Sequence, residues 1–284
     1  MKNNLNRNLK DRLYIATVCG QHREILRQYG IGAELDQFCT AERMEGAGAA
    51  EACREVESLL PMASGVVLHA PFNELFPAAI DPRARALARD RLESAAALAL
   101  HYGAKKMVVH SGYVPFVYFK EWHVARSVEF WQKFMEGKPE DFQIVIENVL
   151  EEEPDMMVEM MEQLSHPRIR LCLDAGHALC VGKVPVFAWL TAMAPWLGHL
   201  HIHNNDGVHD RHDPLTKGLL DMEVFLDEAV RLCGADTTIT VECLDGGDSM
   251  RWLCDRGYLS PAGTEGQDHE TEGEKHCRNG NCLK

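Results

Sequence analysis

The sequence predicts an α/β protein built as a single (β/α)8 TIM barrel, and three observations carry that prediction. Eight short apolar runs alternate with segments of helical period. Eight is the strand count at which such a barrel closes. Residues of metal-binding type fall at or just past the ends of six of the runs, the end at which barrels of this kind place their active sites. A chain of 284 residues with 46% hydrophobic and 25% charged content has room for one large domain, and the unbroken alternation favours one over two.

Residues 1–12, MKNNLNRNLKDR, are polar, contain no apolar h-region and read as an N-terminal extension. The barrel occupies 13–259. Its strand candidates are LYIATVC (13–19), GAELDQF (32–38), GVVLHAP (65–71), KKMVVHS (105–111), QIVIENV (143–149), IRLCLDA (169–175), GHLHIHN (198–204) and TTITVEC (237–243). Between them, Asp81-Pro82 supplies a cap residue and a first-turn proline, Ala88, Leu92, Ala95 and Ala99 follow as one apolar stripe, and Gly103 ends the helix. Segments 47–60, 154–165 and 221–232 read as helices in the same way, with Pro154 as a second first-turn proline. From 260 to 284 the chain is polar and rich in Gly and Glu, the composition of a flexible tail that can bury little against the entropy of ordering. Its His269, His276, Cys277 and Cys282 lack a second ligand pair at zinc-site spacing.

No stretch approaches a membrane span, so the sequence reads as cytoplasmic, with its ten cysteines as free thiols. A net charge of -14 argues against a nucleic-acid partner, because phosphate binding gathers Lys and Arg on one face. No phosphate-binding or dinucleotide glycine pattern follows any strand, so no nucleotide cofactor is indicated. Exposed helices around a barrel leave a homodimer as an open expectation.

Nine residues form the candidate site: His69, His110, Glu147, Asp174, His177, His203, Asp210, His212 and Glu242. Strand side chains alternate faces, so inward-pointing ligands would crown a layer of Val67, Val108, Val145, Cys172 and Thr240. Glu147, Asp174, His203 and Glu242 make a carboxylate-rich set suited to Zn2+ or Mn2+, with Mg2+ and Co2+ also compatible. His69 and His110 can complete a second site by sharing Glu147. His177, Asp210 and His212 supply a third, richer in nitrogen. His199 and His201 share the inward face of their strand with His203, and His201 is expected one layer lower as a neutral imidazole, either hydrogen-bonded within the barrel or supporting a metal ligand from behind.

The stretches VVLHAPF, MVVHSG, IVIENV, LCLDAGHAL, HIHNNDGVHDRHDPL and ITVEC resemble the motifs of the xylose isomerase-like TIM-barrel superfamily over about residues 13–258. That group includes sugar phosphate isomerases and epimerases and the apurinic endonuclease IV family. The epimerase branch implies one metal on Glu147, Asp174, His203 and Glu242, proton transfer by Glu147 and Glu242, and substrate contact by His177. The endonuclease branch implies a trinuclear zinc cluster on all nine. The leading expectation is a metal-dependent isomerase or epimerase of a small sugar or sugar phosphate working through an enediolate. The alternative is an endonuclease IV-like zinc phosphodiesterase, and a non-catalytic sugar-binding barrel ranks third.

Loop composition favours the leading expectation. Glu151, Glu152, Glu153 and Asp155 would repel a DNA backbone, although acids also suit a helix start. Tyr113, Phe116, Tyr118, Phe119 and Trp122 read equally as a lid over a sugar or as packing. Where the superfamily carries glycines, this chain has Thr216 and Lys217. Lys217 and Arg211 are the cations placed to meet a substrate phosphate or carboxylate, or are ordinary surface charges.

Overall fold

Eight parallel strands, each bonded to the next in chain order and the last to the first, close a barrel in the computed structural model, which describes residues 7–260. The strands are β1 (Leu13–Ala16), β2 (Gly32–Leu35), β3 (Val66–His69), β4 (Lys106–His110), β5 (Gln143–Glu147), β6 (Ile169–Asp174), β7 (Leu197–Ile202) and β8 (Thr238–Val241). Among the described residues the helices are α1 (His22–Tyr29), α2 (Gly46–Leu59), α3 (Pro82–His101), α4 (Lys120–Met135), α5 (Asp155–Leu164), α6 (Ala175–Cys180), α7 (Val186–Met193), α8 (Met222–Leu232) and α9 (Gly247–Asp255). The tail from 261 onward, with its His and Cys residues, lies outside the described residues. No described helix is long and apolar enough to cross a membrane.

Local chemistry starts the helices where the sequence says. The Asp81 carboxylate accepts from the Arg83 N–H at 2.7 Å, and Pro82 opens α3. Ala88, Leu92, Ala95 and Ala99 are buried on its inner face. Asp221 caps α8 by accepting from Val224 N–H at 3.2 Å. Pro154 stands at the cap of α5, one position before its first helical residue. The polar N-terminal stretch is tied down from residue 7: Leu9 is buried with its N–H on the Tyr258 carbonyl (2.8 Å), and Arg7 pairs with Glu223 and Asp227 of α8.

Apolar groups divide between two layers. The larger packs strand outer faces against the helices, and a small inner cluster of Val67, Val108, Val145 and Cys172, with Tyr14 against it, fills the barrel as the alternation predicts. The early part of β4 and β8 contributes a polar plug, in which Lys106 Nζ donates to the Gly198 carbonyl (2.6 Å) and the Thr238 hydroxyl (2.7 Å). Burial lowers the Lys106 ammonium to about 8.

One irregularity resets the site. Leu171 pairs with Leu197, but Cys172 pairs with His199 and Asp174 with His201, so Gly198 is skipped as a β-bulge. A Cβ at Gly198 would lie 2.9 Å from Arg170 Cβ and 3.1 Å from Val145 Cγ1, which accounts for glycine there. The extra residue brings the histidines of β7 into phase with the inward face of β6.

His123 of α4 is buried against Tyr113 with neither ring nitrogen hydrogen-bonded, and burial lowers its pKa from 6.5 to about 4. The unfolded imidazole therefore takes a proton that the folded one refuses, and this contribution to stability is lost as pH falls from about 6.5 towards 4. His123→Phe is expected to spare the fold about 1.5 kcal/mol of the loss between pH 6.5 and 5. Urea unfolding of both proteins at the two pH values measures it, and equal losses would contradict the burial argument.

Candidate metal centre and adjoining cavity

The nine sequence-selected residues all come to the C-terminal mouth of the barrel. His69, His110, Glu147 and Asp174 are the last residues of β3, β4, β5 and β6, while His203 and Glu242 directly follow β7 and β8. Asp174 also caps α6, accepting from the His177 N–H at 2.7 Å, and so delivers His177 in the first turn. Asp210 and His212 reach in from the loop between β7 and α8.

Glu147 is the hub. Its Oε2 is 3.3 Å from His69 Nε2 and 3.4 Å from His110 Nε2, and its Oε1 is 3.3 Å from His201 Nδ1 and 3.4 Å from His177 Nδ1. His203 Nε2 lies 3.1 Å from Asp174 and 3.7 Å from Asp210, whose other oxygen meets His177 (3.3 Å) and His212 (3.2 Å). The rings of His203 and His212 stack 4.0 Å apart. Among the described residues five groups have all their ligand atoms within 4.8 Å; three lie at the rim (His69, His110 and Glu147; Glu147, Asp174, His201 and Glu242; His177, His203, Asp210 and His212), and Glu34, His69 and His201 and Cys172, His199 and His201 form two more. The carboxylate-rich group thus contains His201, where the sequence reading had His203, because the bulge pairs Asp174 with His201.

Backbone carbonyls hold several rings from behind: Ala70 for His69 Nδ1 (2.9 Å), Asn148 for His177 Nδ1 (2.9 Å) and Glu242 for His212 Nδ1 (2.8 Å). The side chain of Asn148 braces Asp174 through both of its backbone polar groups, and Asn205 donates to the Gly176 carbonyl. These asparagines were missed by the sequence reading, although Asn148 directly follows a ligand position.

Charge governs the site. Burial pushes the Glu147 carboxyl up, but the His201 and His110 imidazoles outweigh it and hold the group well below the usual carboxylate range. Asp174 is held down in the same way by His177 and His203. Burial dominates at His110, lowering it to about 3, whereas at His212 the Asp210 and Glu242 carboxylates overcome burial and raise it to about 9. His201 is held well above its ordinary value, since the acids around it outweigh burial. Even so, Glu147 Oε2, Asp174 Oδ2, Glu242 Oε2 and both ring nitrogens of His203 are buried without a hydrogen bond. Groups left this way in a folded interior fit a bound cation better than an empty space.

A cavity of about 300 Å³ adjoins the centre, walled by Val18, Asp36, Cys39, His69, Phe72, His212, Glu242 and Leu244. Asp36 accepts from Val18 N–H (3.0 Å) and the Thr17 hydroxyl (3.1 Å), and burial with the nearby Glu34 charge raises it to about 7. No Lys or Arg is among the walls. Arg211 is paired with Asp206 (3.2 Å) and Asp213 (3.3 Å), and Lys217 with Asp213 (2.9 Å), so both cations are engaged by loop acids.

The acidic loop after β5 is not a bare patch. Glu151 is buried and accepts from Ser111 and the Val149 N–H, Glu152 pairs with Lys183 (2.8 Å), and Glu153 lies 4.0 Å from Lys120. The aromatic segment divides: Tyr113 packs on His123 and Trp122 donates to the Ala78 carbonyl, while Phe116 and Phe119 are exposed.

A family model described as xylose isomerase-like TIM barrel matches residues 38–256. Among curated relatives, the uncharacterized protein MJ1311 of Methanocaldococcus jannaschii is 27% identical over 66% of this chain and 67% of its own. A probable endonuclease 4 of Mycobacterium leprae is 24% identical over 64% of this chain and 74% of its own. Among solved structures, a D-tagatose 3-epimerase-like protein superposes with TM-score 0.71 at 18% identity, covering 86% of this chain and 96% of that one. The TTHB071 protein of Thermus thermophilus, soaked with ZnCl2, does so at 0.66 and 25% identity, covering 87% and 97%.

Gly176 leaves the room that His203 occupies, since a Cβ there would stand 1.9 Å from His203 Cε1. Gly176→Ala must displace the ring, and we expect a cost of about 1–3 kcal/mol in denaturant unfolding. An unchanged midpoint would show that His203 is not seated against this turn.

Proposed function

The chain belongs to the xylose isomerase-like TIM-barrel family, and from that premise we propose that it is a divalent-metal-dependent isomerase or epimerase of a small, non-phosphorylated sugar or polyol, working through an enediolate. The observation that carries the reading is the 300 Å³ cavity beside Glu242, walled by Asp36, His69, His212, Cys39 and apolar groups, with no Lys or Arg among the lining residues. Its size suits a monosaccharide, its acids and imidazoles suit hydroxyl groups, and it offers no Lys or Arg to clamp a phosphate. The M. jannaschii and M. leprae alignments span part of each relative, so any activity drawn from them is part of this proposal.

The buried oxygens and ring nitrogens without a hydrogen bond support a metal centre on the nine residues, with Glu147 shared between the group of His69 and His110 and the group of Asp174 and Glu242. Zn2+ or Mn2+ suits this mixture of donors, with Mg2+ or Co2+ as substitutes. These residues would hold a divalent ion that polarises a substrate carbonyl and so acidifies the C–H bond of the neighbouring, hydroxyl-bearing carbon. Glu242 lines the cavity and is the group we assign to take that proton and to give it back to the substrate as the enediolate collapses. Glu147 is buried beneath, with both oxygens facing imidazoles, which supports a bridging role more than direct proton transfer. His177 is engaged by Asp210 and Glu147 and does not line the cavity, which supports ligation over substrate contact. Asp36 and His212, on the cavity wall, accept and donate hydrogen bonds to hydroxyls, and Phe72 and Leu244 cover the apolar face of the ring.

A second reading is supported by the nitrogen-rich group of His177, His203, Asp210 and His212, a third compartment that an isomerase does not require, and by the relative named probable endonuclease 4. In that reading the chain is a zinc phosphodiesterase. About three zinc ions per chain with cleavage of abasic duplex DNA would establish it.

Protein purified without chelator and screened against ketoses and their phosphates tests the first reading. Conversion of a free sugar in preference to its phosphate is expected, and Glu242→Gln should lower turnover by about 10²- to 10⁴-fold while the thermal transition persists. Full activity in that variant would defeat the mechanism.

A further inference from the structure

A second acid cluster lies directly beneath the centre. Glu34, inward-facing on β2 and wholly buried, receives His199 Nε2 on one oxygen (3.0 Å) together with the Thr240 hydroxyl (2.5 Å), and His201 Nε2 on the other (2.9 Å). A carboxylate only accepts, so with an ion held by the acids above, the ring hydrogen that His201 keeps is the one on Nε2 facing Glu34. The opposite nitrogen, Nδ1, is then aimed upward, 3.2 Å from Glu242 Oε2, 3.3 Å from Glu147 Oε1 and 3.7 Å from Asp174 Oδ2.

We propose that His201 Nδ1 is the nitrogen ligand of the carboxylate-rich metal group, and that Glu34 is the positioning residue that aims it. The arrangement is a carboxylate–histidine–metal relay, in which an outer acid fixes the ring nitrogen left for the ion and strengthens its donation. His203 sits elsewhere: its Nε2 faces Asp174 and Asp210, and its ring stacks on His212, in the nitrogen-rich group. Separations of 3.2 to 3.7 Å between Nδ1 and three carboxylate oxygens are those of donors gathered round one small cation. The β-bulge at Gly198 gives this assignment its physical cause, since it is what sets His201 beside Asp174.

The inference rests on the metal centre proposed above but not on any sugar chemistry, and its test uses no substrate. The full chain is loaded with Co2+ and examined by proton NMR, where the ring N–H of each ligating histidine appears as a shifted, exchangeable resonance. Wild type is expected to show slowly exchanging ring N–H resonances, one of them the Nε2–H of His201, which is buried on Glu34. His201→Gln should remove it and weaken cobalt binding. Glu34→Gln, which keeps the size of the side chain and a hydrogen-bond acceptor, should keep the resonance, move it, speed its exchange and weaken the affinity by about 10- to 100-fold. If His201→Gln does not fold, Glu34→Gln decides alone. A Glu34→Gln protein with lowered Tm but unchanged cobalt spectrum and affinity, or a His201→Gln protein with every shifted N–H retained, would overturn the assignment. Either result would leave the isomerase reading standing with His203 as the ligand, whereas a wild-type chain that binds no cobalt overturns both.

Discussion

The cost of burying charge is the constraint on which the rest of this structure depends. Glu34, Glu147 and Asp174 are almost wholly removed from solvent at the centre of the barrel. Isolated carboxylates in such a place would lose several kcal/mol each of hydration, and they remain ionised only if cations or donors surround them. The imidazoles of His69, His110, His177, His199, His201 and His203 gather round them for that reason. The compensation is complete at Glu34, whose two oxygens take three donors, and incomplete one layer higher, where oxygens of Glu147, Asp174 and Glu242 face imidazoles without a hydrogen bond. The contrast separates a supporting layer that is satisfied within the chain from a working layer that is not.

The fold makes this concentration of charge tolerable. Strand ends on a closed barrel converge without sheet edges, so six side chains far apart in sequence meet while their backbones stay hydrogen-bonded. Small devices then adjust single groups: the Gly198 bulge rotates the histidines of β7 into register, Gly176 vacates the space of His203, and Asn148 ties β5 to the turn that carries Asp174 and His177. None of these residues carries chemistry, yet each sets where a donor atom lies.

Much of this was legible in the sequence because strand geometry repeats every two residues. The eight strands, the inner layer of Val67, Val108, Val145 and Cys172, and the meeting of the nine residues at one rim follow from alternation and from loop position alone. What escaped the sequence depends on register and on tertiary partners. A one-residue bulge is invisible in a run such as GHLHIHN, so the pairing of His201 with Asp174 could not be read from it. Glu34 is a lone acid inside a short strand, and nothing local distinguishes it from an edge residue. The acids after β5 read as a repulsive patch because their partners, Ser111, Lys183 and Lys120, belong to other loops and helices and arrive only when the chain folds back on itself. The walls of the cavity come from the loops after β1, β2, β3, β7 and β8, and no pattern within one segment announces them.

The central claim is that the upper layer of buried acids and imidazoles is completed by divalent cations held inside the barrel mouth. Anomalous diffraction at the zinc edge from crystals of the zinc-loaded chain tests it most directly. The account predicts a peak enclosed by Glu147, Asp174, His201 and Glu242. Crystals whose zinc peaks lie only at surface histidines, with this group still collapsed on itself by hydrogen bonds, would contradict it.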